Sequence, residues 1–416
     1  MGLTRFLILI LILSFALLST AYGQREKDTP YLILVSFDGF RHDYVDKFDL
    51  PNFRDFIASG ASAAALIPAF PSKTFPNHYS TVTGLFPGTH GLVDNYFFDP
   101  GLKTRYTMSD RTKVVDPVFY GGIPIWRLAR EHGIKSASYF WVGSEVNDPD
   151  LRPDYYYEYD GSVGSSARID KVISWLGLPE AERPHLITLY FSSPDYEAHM
   201  HGPTADGTRD AAVQADSLLG YLMDRLKQVQ LPVNVMLTSD HGLTDIVISN
   251  DTYVYVDQFI PVKNTSYRIV NGGTQAHIYT RNIEQADSLY HLLHDRDPRM
   301  KVYRKQDLPA EWHYNHARVG DLLIVANHPH YLRDSFGGYL RDGKPGSVRG
   351  VHGYDPAEVR DMHGIFYAQG PNIRKGARLK AIRNVDLYPL MVKILKLTPP
   401  PIDGNGKESL RIYKRR

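Results

Sequence analysis

The chain has 416 residues and carries 47 lysine and arginine residues against 46 aspartate and glutamate residues, which gives a formal net charge of +1. A chain of this length can bury a large core, and its balanced charge gives no electrostatic support for binding a nucleic-acid polymer. It contains no cysteine, which excludes a thiol nucleophile, a cysteine-ligated zinc site and a cysteine-anchored lipoprotein.

The first 23 residues are predicted to form a signal peptide. Arg5 supplies the positive charge, residues 6–18 supply the apolar run, and Ala21-Tyr22-Gly23 forms a small-x-small cleavage site. The apolar run is too short for a membrane span, and an uncleaved anchor is the alternative. Because an exported chain without disulfides is typical of bacteria, we expect the periplasm or the cell surface of a bacterium.

Three short apolar runs are predicted to be strands of a parallel sheet that is covered on both faces by helices. These runs are Tyr31–Phe37, Leu186–Phe191 and Val233–Thr238. Each run is followed by aspartate or histidine, which are common metal ligands. These residues are Asp38 after the first run, Asp195 with His199 after the second, and Asp240 with His241 after the third. Ligands bind outside the carboxyl ends of such strands. We therefore expect these five side chains to meet at one edge of the sheet.

The rest of the chain alternates between helical and strand patterns. Helices are predicted at residues 51–57, 125–131 and 205–228 and from Pro76 to Gly84, and further core strands at 319–326 and 365–368. In the longest helix, the residues predicted to share one apolar face are Val213, Leu218, Leu219, Leu222 and Leu226. This alternation predicts an α/β doubly wound, mostly parallel sheet sandwiched by helices. We expect residues 30–400 to form a single domain. The tail at residues 401–416 is expected to be either wrapped against it or frayed.

The acidic and histidine side chains after the strands are suited to zinc. The alternative for either pair is a helix-capping aspartate beside a surface histidine. His352 follows a glycine-rich segment at 343–350, where the backbone can bend close to an ion. Thr74 is predicted to lie at a helix N-terminus, which favours an oxyanion. The alternative is that Ser72 or Thr74 only caps this helix.

Six motifs occur along the chain in the order Asp38-Gly39, Lys73-Thr74-Phe75-Pro76-Asn77-His78, His90-Gly91 through Asn95, Asp195 with His199 and Gly202-Pro203, Ser239-Asp240-His241-Gly242, and His352-Gly353-Tyr354-Asp355. With these motifs the chain resembles, over residues 30–400, the nucleotide pyrophosphatase/phosphodiesterase family of the alkaline phosphatase superfamily. The resemblance implies an alkaline-phosphatase-like catalytic domain alone, with two zinc ions. Ala198, Ser192-Ser193 and Pro356 depart from the family pattern and put the substrate preference in doubt, but not the metal centre.

The resemblance also implies roles for individual residues. Asp38, Asp240 and His241 would bind one zinc ion, and Asp195, His199 and His352 would bind the other. Thr74 would bridge both ions and act as the nucleophile, and Asn95 would donate a hydrogen bond to a phosphate oxygen. Phe75, Tyr159 and Tyr190 would sandwich a nucleobase, with Trp141 lining the same slot. Core packing is the alternative for these aromatic side chains.

The expected substrate is a small phosphodiester, with a nucleotide diester or pyrophosphate favoured by the aromatic side chains. A phospholipid-like or glycerophosphodiester substrate is the alternative on the same core. A phosphomonoesterase would need an arginine in the nucleophile motif, which the sequence lacks, and a sulfatase would need a cysteine. A binding protein that has lost turnover is disfavoured, because all seven expected ligands, including Thr74, are present.

Overall fold

The computed structural model describes residues 29–263, 265–335 and 343–415. The predicted signal peptide at residues 1–23 lies outside these ranges. In chain order the strands are β1 Tyr31–Phe37, β2 Ala61–Ala63, β3 Leu66–Ile67, β4 Tyr96–Asp99, β5 Thr104–Thr107, β6 Ser136–Tyr139, β7 Tyr155–Tyr157, β8 Leu186–Phe191, β9 Val233–Thr238, β10 Thr244–Val247, β11 Tyr253–Tyr255, β12 Arg268–Asn271, β13 Gln275–Tyr279, β14 Met300–Arg304, β15 Leu322–Ala326, β16 Tyr331–Arg333, β17 Val348–Val351, β18 Phe366–Gln369, β19 Arg378–Leu379 and β20 Ile382–Arg383.

The α-helices in the same ranges are Tyr44–Lys47, Pro51–Ser59, Thr74–Thr83, Pro87–His90, Arg111–Val114, Ile125–Glu131, Ser165–Leu176, Asp195–His201, Asp206–Lys227, Ile283–Leu293 and Leu387–Ile394. No helix among these described residues combines the length and the apolar character that crossing a membrane requires.

The centre of the molecule is an eight-stranded sheet in the order β19-β2-β18-β9-β1-β8-β6-β7. Strand β18 runs antiparallel to both of its neighbours, and the other pairings in this sheet are parallel. All seven residues of β1 are buried, as expected for a strand with helices packed over both faces. The predicted α/β fold with a mostly parallel central sheet is therefore confirmed.

The three strands that lead into the expected ligands have the predicted limits, and they lie side by side as β9, β1 and β8. The helix after Lys73 begins at Thr74, two residues before the predicted start at Pro76, and it ends at Gly84 with φ of 68°. The predicted apolar face of the Asp206–Lys227 helix is wrong at Val213, which is 40% exposed. Val213 precedes the buried Leu219 by six residues, roughly 240° around the helix, and so points to the other side.

A second sheet was not predicted. It is antiparallel, in the order β12-β13-β15-β14. Strand β15 lies within the range predicted as a core strand at 319–326 and is fully buried, but it belongs to this sheet and not to the central one.

The tail at 401–415 is wrapped against the domain. The Asp403 carboxylate accepts a hydrogen bond from the Phe86 backbone N–H at 2.8 Å. Further along, the Ile412 side chain is fully buried, and the Arg374 N–H donates to the Ile412 carbonyl at 2.8 Å. Of the two predicted conformations of the tail, wrapped and frayed, the structure shows the wrapped one.

Candidate metal centre and substrate slot

Three carboxylates gather where β1, β8 and β9 end. The Asp195 N–H donates to the Asp38 carbonyl at 3.0 Å, and the Gly39 N–H donates to Asp240 Oδ1 at 3.2 Å. Gly39 has φ of +67°, and a Cβ atom there would lie only 2.7 Å from Asp195 Cβ. This approach requires glycine. The backbone thus brings side chains from three strand ends to one point.

Each of these carboxylates has a buried oxygen that accepts no hydrogen bond within the described part of the chain, namely Asp38 Oδ1, Asp195 Oδ1 and Asp240 Oδ2. Burial raises the pKa of Asp38 well above its usual value, and the nearby charges of Asp240 and Asp195 raise it further. Buried carboxylate oxygens are normally paired, because losing water without gaining a partner is costly. A bound cation would supply the missing partner, so this donor set fits a metal ion.

Three histidines around the carboxylates share one arrangement, in which ring atom Nδ1 lies against a backbone carbonyl. The contacts are His199 with the Gly350 carbonyl at 2.7 Å, His241 with the Gly242 carbonyl at 3.1 Å, and His352 with the Ser72 carbonyl at 2.8 Å. A carbonyl only accepts, so Nδ1 carries a proton, and in the neutral ring the lone pair is then on Nε2. Metal-binding histidines are usually held and oriented in this way.

Two of the three Nε2 atoms lie close to carboxylate oxygens. His241 Nε2 lies 3.0 Å from Asp240 Oδ2 and 3.8 Å from Asp38 Oδ1, and His199 Nε2 lies 3.5 Å from Asp195 Oδ2. The rings of His241 and His352 stack with their centroids 3.6 Å apart. Burial lowers the pKa of His352 well below its usual value, and His241 and Lys73 lower it further. His352 is therefore neutral, the form that binds a metal ion.

The distances between candidate ligand atoms define two groups of residues, and these groups differ from the predicted assignment of ligands to two zinc ions. Asp195, His241 and His352 form one set within 4.8 Å, and Asp38, His78 and Asp240 form another. His78 is nevertheless a poor candidate ligand, because both of its ring nitrogens are engaged. Its Nδ1 lies 3.0 Å from the Thr74 carbonyl, and its Nε2 lies 2.9 Å from Ser36 Oγ. The division of the predicted ligands between two ions stays a prediction.

Thr74 is the first residue of its helix, and its Oγ1 lies 3.2 Å from His241 Nε2. The N-cap of this helix is Lys73, and no side chain caps it by a hydrogen bond. Ser72, the other possible cap, donates its hydroxyl to the Tyr354 carbonyl at 2.7 Å. The capping alternative therefore fails for both residues, and the Thr74 hydroxyl faces the cluster of carboxylates and imidazoles.

Asn95 lies beside the nucleophile candidate. Its Oδ1 accepts a hydrogen bond from the Phe75 backbone N–H at 2.9 Å, which fixes the orientation of the carboxamide. The Nδ2 group is then the part of the amide that remains to donate to a substrate, as its predicted role requires.

The predicted aromatic slot, defined as Phe75, Tyr159 and Tyr190, is only partly brought together. The rings of Tyr159 and Tyr190 lie 6.2 Å apart and inclined at 64°, and Tyr159 is 45% exposed. Phe75 is half-buried and packs edge-on against Tyr106 at 6.4 Å. Trp141 is only 4% exposed, and its indole N–H donates to the His78 carbonyl at 3.1 Å. Trp141 thus supports the Thr74–Thr83 helix and presents little surface to a substrate.

Two neighbours of the cluster received no role from the sequence, although both belong to the motif around Thr74. Lys73 is 6% exposed, and its Nζ donates to the carbonyls of Gly272 at 2.9 Å and His352 at 3.0 Å. Burial lowers the pKa of Lys73 to about 8. His78 packs beneath Thr74, and its Nδ1 lies 3.4 Å from Asp240 Oδ2. Their place in the motif was the signal that the sequence offered. The contacts of Lys73 with Gly272 and His352, and of His78 with Asp240, join parts of the chain that are distant in sequence.

A parallel sheet whose strand ends collect carboxylates and imidazoles around one hydroxyl is typical of a metal-dependent hydrolase. A family model described as type I phosphodiesterase / nucleotide pyrophosphatase matches residues 32–355. The chain belongs to this family and is a hydrolase. The family is metal-dependent, and the aspartate and histidine groups described above are the candidate ligands.

Several relatives are similar over most of the chain. The bis(5'-adenosyl)-triphosphatase of Xenopus laevis is 35% identical over 91% of this chain and 80% of its own length. A venom phosphodiesterase of Crotalus durissus collilineatus is 36% identical over 90% of this chain, which spans only 45% of the venom protein. A solved structure of murine ectonucleotide pyrophosphatase/phosphodiesterase 5, an inactive threonine-to-alanine variant in complex with AMP, is 32% identical, has a TM-score of 0.85, and covers 92% of this chain and 100% of its own.

Proposed function

We propose that this chain is an exported, zinc-dependent phosphodiesterase that hydrolyses nucleotide diesters or pyrophosphates and releases a nucleoside monophosphate. The observation that carries the proposal is the convergence of three carboxylates, each with a buried oxygen that has no partner among the described residues, and three imidazoles held through Nδ1, with the Thr74 hydroxyl 3.2 Å from His241 Nε2. The proposed ligands are Asp38, Asp240 and His241 for one zinc ion and Asp195, His199 and His352 for the other, with Thr74 between them.

Two bound zinc ions would lower the pKa of the Thr74 hydroxyl and neutralise charge on the phosphoryl oxygens. The Thr74 oxygen then bonds to phosphorus, and the bond from phosphorus to the leaving oxygen breaks. Hydrolysis of the resulting phosphothreonine ester by water releases the nucleoside monophosphate and restores the hydroxyl. Asn95 Nδ2 donates to a non-bridging phosphate oxygen, because its Oδ1 is already held by the Phe75 N–H.

The substrate class is argued from the residues around the nucleophile. Asn95 provides one neutral donor, which suits the single negative charge of a diester better than the double charge of a monoester. Tyr159 and Tyr190 provide faces on which a base can stack. The structure of the murine protein contains AMP, and the name of the Xenopus laevis relative refers to a dinucleotide. These observations favour nucleotides over the phospholipid-like substrates that the same core could accept.

Export is proposed from the apolar run at residues 6–18 and the small residues at 21–23. The venom origin of the rattlesnake relative supports an exported protein. The relatives described above are animal proteins, and the bacterial periplasm or cell surface stays a prediction from the absence of cysteine.

A substrate panel with purified protein tests the proposal. It includes ATP, a dinucleotide, a cyclic dinucleotide, a nitrophenyl nucleotide diester, bis-nitrophenyl phosphate and a lysophospholipid, with the metal content measured on the same preparation. We expect the nucleotide diesters to be cleaved with the highest kcat/KM. A higher value for the lysophospholipid would replace the nucleotide proposal with the lipid one, and zinc-loaded protein that cleaves nothing in the panel would indicate a binding protein.

A further inference from the structure

Tyr190 lies between the aromatic slot and the candidate metal ligands. Its hydroxyl donates a hydrogen bond to Asp38 Oδ2 at 2.6 Å, the length of a strong bond to an ionised carboxylate. Its ring lies 6.2 Å from the ring of Tyr159 and 5.2 Å from that of His78. One side chain therefore contacts both a predicted wall of the slot and a predicted zinc ligand.

This hydrogen bond makes the two oxygens of Asp38 different. Oδ2 is held by the phenol, whereas Oδ1 is buried and has no partner among the residues that the structure describes. Oδ1 lies 3.8 Å from His241 Nε2, on the side of the imidazoles. A carboxylate can rotate about its Cβ–Cγ bond, and a strong bond to one oxygen stops that rotation. The phenol thus determines which oxygen faces the cluster.

Tyr190 is itself held firmly in place. Its carbonyl accepts a hydrogen bond from Arg168 Nη1 at 3.0 Å. Arg168 is only 3% exposed, and it also donates to the Val163 carbonyl from Nε at 3.1 Å and from Nη2 at 2.9 Å. Its guanidinium lies 4.9 Å from the centroid of the Phe140 ring and 5.9 Å from that of Phe191. The phenol is therefore presented to Asp38 from a rigid strand end.

We propose that the Tyr190 hydroxyl is a positioning group that fixes the Asp38 carboxylate with Oδ1 toward the other candidate zinc ligands, an inference that rests on the proposed zinc-dependent function. Outer hydrogen bonds of this kind orient ligands, and removing one typically costs about 10- to 100-fold in metal affinity or activity. Tyr190 would then act on every substrate, and not only on those that carry a base to stack.

The first test measures zinc affinity without any substrate, by competition with a chromogenic chelator. Tyr190→Phe keeps the ring and removes only the hydroxyl, and we expect it to weaken zinc binding by about 10- to 100-fold. Tyr388→Phe is the matched control, because its hydroxyl donates to the Ile123 carbonyl at 3.0 Å, with no candidate ligand involved. The control should bind zinc like the wild type. Unchanged zinc affinity in Tyr190→Phe would overturn the proposal.

A double-mutant cycle shows whether the hydroxyl acts through Asp38. In an Asp38→Asn background, adding Tyr190→Phe should change zinc affinity by less than about twofold, because the carboxylate that the phenol orients is gone. An equal loss in both backgrounds would show that the hydroxyl acts elsewhere. Tyr190→Phe should also lower kcat by the same factor for a nucleotide diester and for bis-nitrophenyl phosphate, with KM for the nucleotide unchanged. If the wild type cleaves neither, the proposed function fails, while the zinc measurements still decide the role of Tyr190.

Discussion

Replacing Thr74 by alanine should abolish turnover and leave the fold intact. The hydroxyl makes one contact with a side chain, 3.2 Å to His241 Nε2, and it does not cap the helix that it begins. Thr74 is only half-buried, and alanine is the better helix former. The free energy of unfolding should therefore change by less than about 1 kcal/mol.

The effect on turnover should be much larger. Losing the nucleophile removes the covalent step, and losses of about 10³-fold or more, equivalent to about 4 kcal/mol of activation free energy, are expected. The assay measures hydrolysis of a nitrophenyl nucleotide diester, together with zinc content and urea unfolding of the same preparations. Thr74→Ser should retain part of the rate, since it keeps a hydroxyl.

Thr81→Ala is the matched control in the same helix. Its Oγ1 donates to the Asn77 carbonyl at 3.0 Å, and the residue is 2% exposed. Truncation removes a buried hydrogen bond and a buried methyl group, so this variant should lose about 1–2 kcal/mol of stability and keep the wild-type kcat. If Thr74→Ala instead stayed within about tenfold of the wild-type rate, about 1.4 kcal/mol, the nucleophile assignment would be wrong.

Three further measurements test the metal centre, the slot and the buried core. Elemental analysis should find about two zinc ions per chain, and one ion or none in fully active protein would contradict the two-ion centre. Tyr159→Ala should lower kcat/KM for a nucleotide diester by about 5- to 150-fold but leave bis-nitrophenyl phosphate unaffected, whereas Tyr157→Ala, whose ring packs against Trp175, should change neither. Burial lowers the pKa of His90 to about 3. The neutral His90 ring therefore stabilises the folded protein fully only above the unfolded pKa of about 6.5. As the pH falls from 6.5 to 5, the free energy of unfolding should decrease by about 2 kcal/mol. His90→Gln should reduce that pH dependence in urea unfolding, and equal dependence in both proteins would refute it.

The central strands could be predicted from sequence because each is a short apolar run bounded by polar residues. β1, β8 and β9 have the predicted limits, and parallel strands that lie side by side bring their carboxyl ends together. The predicted sheet edge was therefore the correct place to expect Asp38, Asp195 and Asp240.

The second sheet could not be predicted in the same way. β13 contains Gln275 and His277, two polar side chains that are fully buried. Their partner is Asp94, which accepts from Gln275 Nε2 at 2.5 Å and lies 3.4 Å from His277 Nε2. Gln275 and His277 alternate with Ala276 and Ile278, which is the pattern of a strand with one solvent-exposed face, so the sequence gives no sign that the polar face is also buried.

The contact between the Tyr190 hydroxyl and Asp38 could not be predicted for a related reason. Its motif predicts an aromatic wall of the slot, but the partner of its hydroxyl is Asp38, 152 residues earlier in the chain. A role in stacking alone would make Tyr190→Ala affect only substrates with a base. The proposed positioning role instead predicts an effect on zinc binding and on both substrate types, so Tyr159 is the cleaner test of stacking.

Backbone contacts within the protein hold the side chains of the cluster in place. The three imidazoles are held through Nδ1 by the carbonyls of Ser72, Gly242 and Gly350, and the carboxylates are drawn together by backbone contacts at Gly39. Holding uncovered carboxylate oxygens together costs free energy, as the raised pKa of Asp38 indicates. A bound cation would remove this unfavourable term because it neutralises the carboxylates. Ligands that are already held in place also lose little conformational entropy when the cation binds. The site is ordered by backbone hydrogen bonds that join distant parts of the chain. The sequence motifs alone do not specify these contacts.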